Sequence, residues 1–376
     1  MPDGRRHRVR PVGHHRRRAG LEALRDLRRG PQLRRPPLTT ALINSSNGTS
    51  GAYVSTGAAK AAYSYPRPYL PTDAAAKPVK GDAAGCAPSI VNASSLLGDR
   101  VNRSYTDRRG NLKIVRVADT VDTTHQYSSS DVALSPGYTT TGICTGGSYP
   151  SGHTTTAYQA GITLATLLPE LAPEILTRAS EAGNNRIVLG VHYPLDIVGG
   201  RIDGEAALAA RWSDPAYVKG VLEPARKELV SYLEKQTHTT LARAIAHETP
   251  YRDDPYGGRA IPGGTAQIVH DRRSAVNVYT ERLTYGFPTT GKTHLAASVP
   301  KGAENLLLST FPTLNAAQRT AVLAQTEIAS GSPLDRSGTA QGSWERLNLA
   351  AATSATVLVS HDGSARVVST GARPAS

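Results

Sequence analysis

Three short segments of this 376-residue chain carry side chains suited to holding and attacking a phosphate group. In chain order these residues are Lys60 and Arg67, then Ser151, Gly152 and His153 of the run Pro150-Ser151-Gly152-His153, then Arg186, His192 and Asp196. Phosphoryl transfer spreads negative charge over the equatorial oxygens, so its catalysis consists mainly of fixed cations and N–H donors aimed at those oxygens. The residue types and their order therefore favour a phosphate site assembled from three separate parts of the chain.

The cationic residues and the predicted helix start would form the cradle. Arg67 and Arg186 offer planar forks that bind two oxygens each, and Lys60 adds a mobile point charge. Ser151 and Gly152 are predicted to open a helix, which turns backbone N–H groups and the positive end of the helix dipole toward an anion. Gly152 also lets the backbone come close to the bound group.

Two histidines would then divide the chemistry. His192 is the predicted nucleophile, and Asp196 would accept its Nδ1–H, which fixes the tautomer and stabilises the developing charge. His153 would protonate the leaving oxygen and later activate water on the phosphohistidine. This scheme requires no metal and no other cofactor.

The ordered pattern of a lysine separated by six residues from Arg67-Pro68, then Pro150-Ser151-Gly152-His153, then Arg186, His192 and Asp196 resembles the type 2 phosphatidic acid phosphatase superfamily. That superfamily includes bacterial class A acid phosphatases and vanadium-dependent haloperoxidases. The segments 167–171, 185–194 and 344–349 are similar to acid phosphatases of actinobacterial type.

The resemblance implies an all-α fold, a helical bundle with the active site in its middle. It implies a phosphoric monoester hydrolase of the acid phosphatase type, acting on a phosphorylated small molecule and usually exported from the cell. A vanadium-dependent haloperoxidase is the alternative, because the same cradle binds vanadate, as an inhibitor in a phosphatase and as the cofactor in a peroxidase.

Three features depart from the family pattern. Asn185 stands where the third motif usually has serine. The segment 69–149 is longer than usual, which predicts an inserted loop region that carries Cys86 and Cys144, either as a disulfide or as two free thiols. Helices that normally precede the first motif are not evident in residues 1–40.

We expect helices to position the motif residues. Helices are predicted from Ser151 through Leu168, over 173–182, from Pro194 toward Trp212, and over 215–236. We therefore expect a phosphatase core at 40–237 and a C-terminal extension at 238–376 packed on it. The extension is predicted to mix short helices at 315–330 and 343–353 with a hairpin at 356–370, closed by Asp362-Gly363.

A competing motif lies in the extension, where residues 286–293 fit the phosphate loop of nucleoside triphosphatases. That loop works by presenting consecutive backbone N–H groups, and Pro288 lacks one. The residues before it include Glu281 and Arg282, not a buried apolar run. We therefore interpret the match as chance.

The formal charge of +13 is concentrated at one end of the chain. Residues 1–36 hold twelve arginines against Asp3, Glu22 and Asp26, a net +9 that leaves about +4 for the rest. We interpret residues 1–39 as a disordered basic tail or a mis-called start, and expect no nucleic-acid partner, since aromatics and a binding fold are lacking. The sequence contains no run of about 18 apolar residues, so it predicts no membrane span. Residues 1–40 lack the apolar region of a secretion signal.

Overall fold

A computed structural model of the chain describes the residues that carry most of the predicted site. The described ranges are 36–44, 55–63, 101, 107–109, 120–121, 133–134, 148–188, 191–247 and 269–371. Arg67, Cys86, Cys144, the tail at 1–35 and most of the expected insertion at 69–149 lie outside them. Within 69–149, Thr120–Val121 (β1) and Ala133–Leu134 (β2) form a short antiparallel pair.

Three helices form the centre of the fold and carry the second and third motifs. They are α3 (Gly152–Leu167), α4 (Ala172–Val188) and α5 (Pro194–Trp212), and they follow α1 (Pro37–Ile43) and α2 (Gly57–Tyr63). The predicted starts at Ser151 and Pro194 are confirmed, because Ser151 caps α3 and Pro194 is the first residue of α5. The second predicted helix, 173–182, is longer than expected, since α4 continues through Gly183 to its end at Val188.

Small residues let these three helices approach closely. A Cβ added to Gly161 of α3 would lie 2.5 Å from the Cβ of Ala179 in α4. A Cβ added to Gly200 of α5 would lie 2.5 Å from the carbonyl oxygen of Ser151. The glycines therefore allow α5 to lie directly against the start of α3, where the motif residues are.

The helical run after α5 is continuous but not uniform. It consists of α6 (Pro215–Tyr217), a π-helical segment (Val218–Leu222) and α7 (Glu223–Thr237), followed by α8 (Leu241–His247). The first helix, α1, packs on α7, where the Thr39 backbone N–H donates to the Glu228 carboxylate at 3.0 Å. The expected boundary between tail and core at residue 40 therefore falls inside a packed helix.

The C-terminal part shares one hydrophobic core with the central helices. Its elements are α9 (Arg272–Thr284), a 3₁₀ turn (Ala303–Leu307), α10 (Ala316–Thr326), a 3₁₀ turn (Trp344–Arg346), α11 (Leu349–Thr353), β3 (Thr356–Val359) and β4 (Ala365–Ser369). Fully buried Leu208 of α5 belongs to the same cluster as Tyr279, Leu323 and Leu347 of this part. Burying such side chains contributes roughly 1.5–3 kcal/mol each, so the extension and the helices stabilise each other.

A buried arginine adds a polar connection between α5 and the C-terminal part. The Arg201 guanidinium is 1% exposed, donates to Glu205 at 3.1 Å and donates to the carbonyl oxygen of Glu345 at 2.8 Å. The Tyr279 hydroxyl lies 3.3 Å from the same Glu205 carboxylate. A buried charge is tolerated only when it is paired and hydrogen-bonded, and these contacts meet that requirement.

Two predictions for the C-terminal part have different outcomes. The hairpin is confirmed, with Leu358 opposite Arg366 and Gly363 at φ 82° in the turn. The single helix predicted at 343–353 is wrong, because Leu347 is extended and Asn348 caps a new, shorter helix. Within the described residues, no helix combines the length and the apolar character needed to cross a membrane.

Candidate active site

The start of α3 is held rigidly by its own side chains. The Ser151 hydroxyl accepts a hydrogen bond from the Thr154 backbone N–H at 3.3 Å and from the Thr154 hydroxyl at 2.9 Å. Ser151 is fully buried, and its carbonyl accepts the first backbone bond of the helix, from Thr155, at 3.0 Å. The N–H groups of Gly152 and His153 lie in the first turn, where a helix offers no backbone acceptor.

The start of α5 lies directly behind this helix end. The Ser151 backbone N–H donates to the carbonyl oxygen of Asp196 at 2.9 Å, and Gly200 makes room for the Ser151 carbonyl. The second and third motifs are therefore joined by backbone contacts, independently of any ligand.

His192 and Asp196 form a buried pair at the same place. His192 Nδ1 lies 3.0 Å from Asp196 Oδ2, and each residue is 2% exposed. The same carboxylate accepts the Tyr193 backbone N–H at 2.9 Å and the Ser148 hydroxyl at 3.4 Å. These contacts orient the carboxylate, which in turn holds the imidazole by its Nδ1.

Lys60 reaches the Pro150-Ser151-Gly152-His153 segment from α2. Its Nζ donates to the carbonyl oxygen of Pro150 at 2.6 Å and to that of Ser148 at 3.1 Å. Thr56, at the start of α2, lies so close that its hydroxyl would be 3.0 Å from a Cβ added to Gly152. Lys60 is therefore beside the second motif, and a side chain at position 152 would press on Thr56.

The other predicted residues stand as follows. Arg186 is half-buried near the end of α4, and its carbonyl accepts the backbone N–H groups of Val191 and His192 at 3.1 and 3.2 Å. His153 is exposed in the first turn of α3. Arg67 lies outside the described residues. The structure thus brings Lys60, Ser151, Gly152, His192 and Asp196 together, with the Arg186 backbone next to His192.

Three neighbours of this cluster were not identified from the sequence. Ser148 contacts Asp196, and the Tyr149 ring packs against Gly199, where an added Cβ would be 2.6 Å from the ring. Burial, with nearby Tyr63 and Asp203, raises the pKa of the Tyr149 hydroxyl to about 12. Burial also raises the pKa of Asp203 to about 6, against the opposing effect of Lys60. Asp203 follows Asp196 by seven residues, a spacing that repeats one face of a helix and could have identified it.

The rival phosphate loop at 286–293 does not form. It follows helix α9 instead of a strand, and residues 294–300 directly after it are not helical. Two of its backbone N–H groups, those of Thr290 and Gly291, donate to the carbonyl oxygen of Gly331 at 2.9 Å, so they do not face an anion. Lys292 is exposed. Within the described part of the chain, no group of three or more His, Cys, Asp or Glu side chains is arranged to hold a metal ion.

Comparison with known proteins shows similarity to acid phosphatases. The chain is 42% identical to an acid phosphatase of Zymomonas mobilis over 83 residues, which are 22% of this chain and 31% of that protein. It is 37% identical to a non-specific acid phosphatase of Providencia stuartii over 73 residues, 19% of this chain and 29% of that one. A non-specific acid phosphatase of Salmonella typhimurium is 36% identical over 98 residues, 25% and 39% of the two chains.

The matches cover only about a third of the length of these curated relatives. The model of the PAP2 superfamily matches residues 41–219, a range that contains all three motifs and the helices α3, α4 and α5. Residues 41–219 of this chain are therefore similar to the PAP2 superfamily.

Proposed function

We propose that this protein is a metal-independent phosphoric monoester hydrolase that forms a phosphohistidine at His192. The observation that carries the proposal is the buried pair of His192 and Asp196, 3.0 Å apart, placed against the start of α3. A histidine oriented by a carboxylate is the arrangement expected of a nucleophile. The adjacent helix start offers N–H donors and a positive dipole for an anion.

The binding of substrate would use the cations around that helix start. Lys60 is already hydrogen-bonded to the Pro150 carbonyl, so its ammonium lies at the edge of the proposed phosphate position. Arg186 shares its backbone contacts with His192, and Arg67 would complete the set as the sequence pattern predicts. Such charge-assisted contacts strengthen as charge develops on the transferring group.

The reaction would proceed in two displacements at phosphorus. Because Nδ1 faces Asp196, the lone pair of Nε2 would attack phosphorus while the bond to the leaving oxygen breaks, and His153 would donate a proton to that oxygen. The product alcohol then leaves, and His192 carries the phosphoryl group. In the second displacement His153 takes a proton from water, the water oxygen bonds to phosphorus, and the nitrogen–phosphorus bond breaks to release phosphate.

The substrate would be a phosphorylated small molecule. The similarity to an acid phosphatase and to a non-specific acid phosphatase supports this class. The family resemblance also implies action outside the cell, which a comparison of activity in washed intact cells and in lysate would test.

The decisive experiment is hydrolysis of p-nitrophenyl phosphate by the purified chain in excess EDTA. We expect turnover without added metal, inhibition by vanadate, and loss of activity in His192→Ala. His361→Ala, which removes an exposed histidine from the terminal hairpin, is the matched control and should retain full activity.

Other results would contradict the proposal. Persistent hydrolysis by His192→Ala would exclude His192 as the nucleophile. Halide oxidation that requires vanadate and peroxide, without phosphate ester hydrolysis, would indicate a haloperoxidase. Hydrolysis of ATP that requires magnesium and Lys292 would indicate a nucleoside triphosphatase.

A further inference from the structure

One stripe of α5 faces the segment 148–151 and ends in an additional carboxylate. Asp196, Gly199 and Asp203 follow one another at spacings of three and four residues, which places them on one face of the helix. Asp196 contacts Ser148 and Ser151, and Gly199 contacts the Tyr149 ring. Asp203 is the next residue of this stripe, one turn beyond Gly199, and it is half-buried.

Lys60 approaches the same segment from the other side. Its ammonium is bonded to the carbonyl oxygens of Ser148 and Pro150, which flank Tyr149. The Tyr149 hydroxyl in turn lies in the electrostatic field of Asp203 and Asp196. Lys60 therefore binds the backbone on both sides of Tyr149, and the carboxylate of Asp203 lies near the same tyrosine.

We propose that Asp203 is a positioning residue of the proposed phosphate site: it acts on Lys60 and offsets part of the charge that Lys60 presents to an anion. The idea rests on the proposed function only in that Lys60 binds phosphate. A negative charge beside a cationic site lowers its affinity for anions, and loss of that negative charge raises it. Asp203 therefore weakens phosphate binding when it is ionised and ceases to do so when it is protonated.

The titration of Asp203 makes this effect dependent on pH. With a pKa raised to about 6 by burial, the carboxylate is charged at pH 7.5 and mostly neutral at pH 5. The charged or titratable groups around Asp203 and Tyr149 are Lys60 from α2, Tyr63, Asp196 and the exposed Arg336. Tyr149 stays neutral throughout, because its own pKa is about 12. His153 and His192 are present in the wild type and in an Asp203 variant alike, so the difference between the two proteins reports the charge of Asp203.

The test is calorimetric binding of inorganic phosphate to the wild-type chain and to Asp203→Asn at pH 5 and 7.5. At each pH the ionisation state of phosphate is the same for both proteins. The ratio of their Kd values therefore reports only the effect of the side chain at position 203. We expect Asp203→Asn to bind phosphate about 3- to 10-fold more tightly at pH 7.5 and equally well at pH 5. The same ratios should appear in KM for a monoester, with kcat changed less than twofold.

Two controls separate the charge from other effects of the substitution. Asp203→Glu keeps the negative charge and should keep the weaker binding of the wild type at pH 7.5. Asp362→Asn makes the same change in the exposed hairpin turn and should leave phosphate binding unaltered. Should Asp203→Asn prove too unstable to purify, Asp203→Ser provides the uncharged comparison.

The possible failures are distinguishable. If Asp203→Asn binds phosphate more weakly than the wild type at both pH values, Asp203 only supports the fold. If the variant and the wild type have equal Kd values for phosphate at both pH values, Asp203 does not act on Lys60. Either result overturns the inference while leaving the phosphatase proposal intact. Failure of the wild-type chain to bind phosphate at all would overturn both.

Discussion

The Asp196 carboxylate should stabilise the positive charge that develops on the proposed nucleophile, and Asp196→Asn tests this effect. Formation of the phosphohistidine leaves a positive imidazole, whose Nδ1 lies 3.0 Å from the Asp196 carboxylate. Two unit charges at that distance interact with about 5 kcal/mol at an effective dielectric constant of about 20, which corresponds to about 10³- to 10⁴-fold in rate. Burial of both residues keeps solvent from screening this interaction.

The substitution also changes the tautomer of His192. An asparagine can direct its amide N–H at Nδ1, which places the imidazole proton on Nε2 and removes the lone pair that would attack phosphorus. The Tyr193 backbone N–H donates to the same carboxylate oxygen at 2.9 Å in the wild type, so it loses its acceptor when the amide nitrogen occupies that position. We therefore expect a folded but less stable protein whose nucleophile is inactive.

The assay is steady-state hydrolysis of p-nitrophenyl phosphate, with inhibition by inorganic phosphate measured in parallel. We expect kcat of Asp196→Asn to fall by about 10³- to 10⁴-fold, while the inhibition constant changes by less than about threefold, because the cradle is intact. Asp362→Asn serves as the matched control. A decrease in kcat smaller than tenfold in a folded Asp196→Asn would refute the role of the pair.

Three further predictions concern packing, charge and pH. Gly200→Ala should lower the free energy of unfolding by about 1–3 kcal/mol, since its Cβ would lie 2.5 Å from the Ser151 carbonyl. Gly220→Ala, whose Cβ would meet nothing within 4 Å, should raise the free energy of unfolding by about 0.4–1 kcal/mol. Equal free energies of unfolding for the two variants, measured with urea, would contradict the close packing at Gly200. Lys60→Gln should raise KM for a monoester about tenfold or more with a smaller effect on kcat, and an unchanged KM would remove Lys60 from the cradle. Burial raises the pKa of Glu345 from 4.5 to about 7, so this group stabilises the fold below pH 4.5 and loses that contribution as the pH rises through 7. Glu345→Gln should therefore match the wild type near pH 4.5 and exceed it in free energy of unfolding by about 3 kcal/mol at pH 8, and parallel pH profiles would contradict the assignment.

Elements whose ends depend on local chemistry were predictable from the sequence. Ser151 caps α3, Pro194 opens α5, and the hairpin turns at Asp362-Gly363, as expected. Each of these signals acts within three or four residues, through a side-chain cap, a fixed φ angle or a turn that favours glycine.

Elements that depend on distant contacts were not predictable. The helix predicted over 173–182 continues through Gly183, where an added Cβ would lie 2.9 Å from the Ile197 side chain and 3.1 Å from that of Thr154. The break at Leu347, which divides the helix expected at 343–353, coincides with the backbone carbonyls that contact Arg201 of α5. Neither contact could be inferred from local propensity.

In the candidate site, too, local contacts were predictable from the sequence and distant contacts were not. The motif spacing placed His192 and Asp196 four residues apart, and a helix start between them makes their contact nearly unavoidable. Lys60 is 90 residues before the carbonyl that it binds, so its position depended on the resemblance alone. Asp203 was overlooked because a single carboxylate on a helix is ordinary until its neighbours are known.

The central claim, a phosphoryl group carried by His192, is tested most directly by trapping it. The purified chain would be mixed with a ³²P-labelled monoester, quenched in alkali within milliseconds, digested and analysed by mass spectrometry. We expect a label that is stable to alkali, labile to acid and located on the peptide that contains His192, and we expect no label in His192→Ala. Label on another residue, or steady turnover with no covalent label and with inversion of configuration at phosphorus, would contradict it.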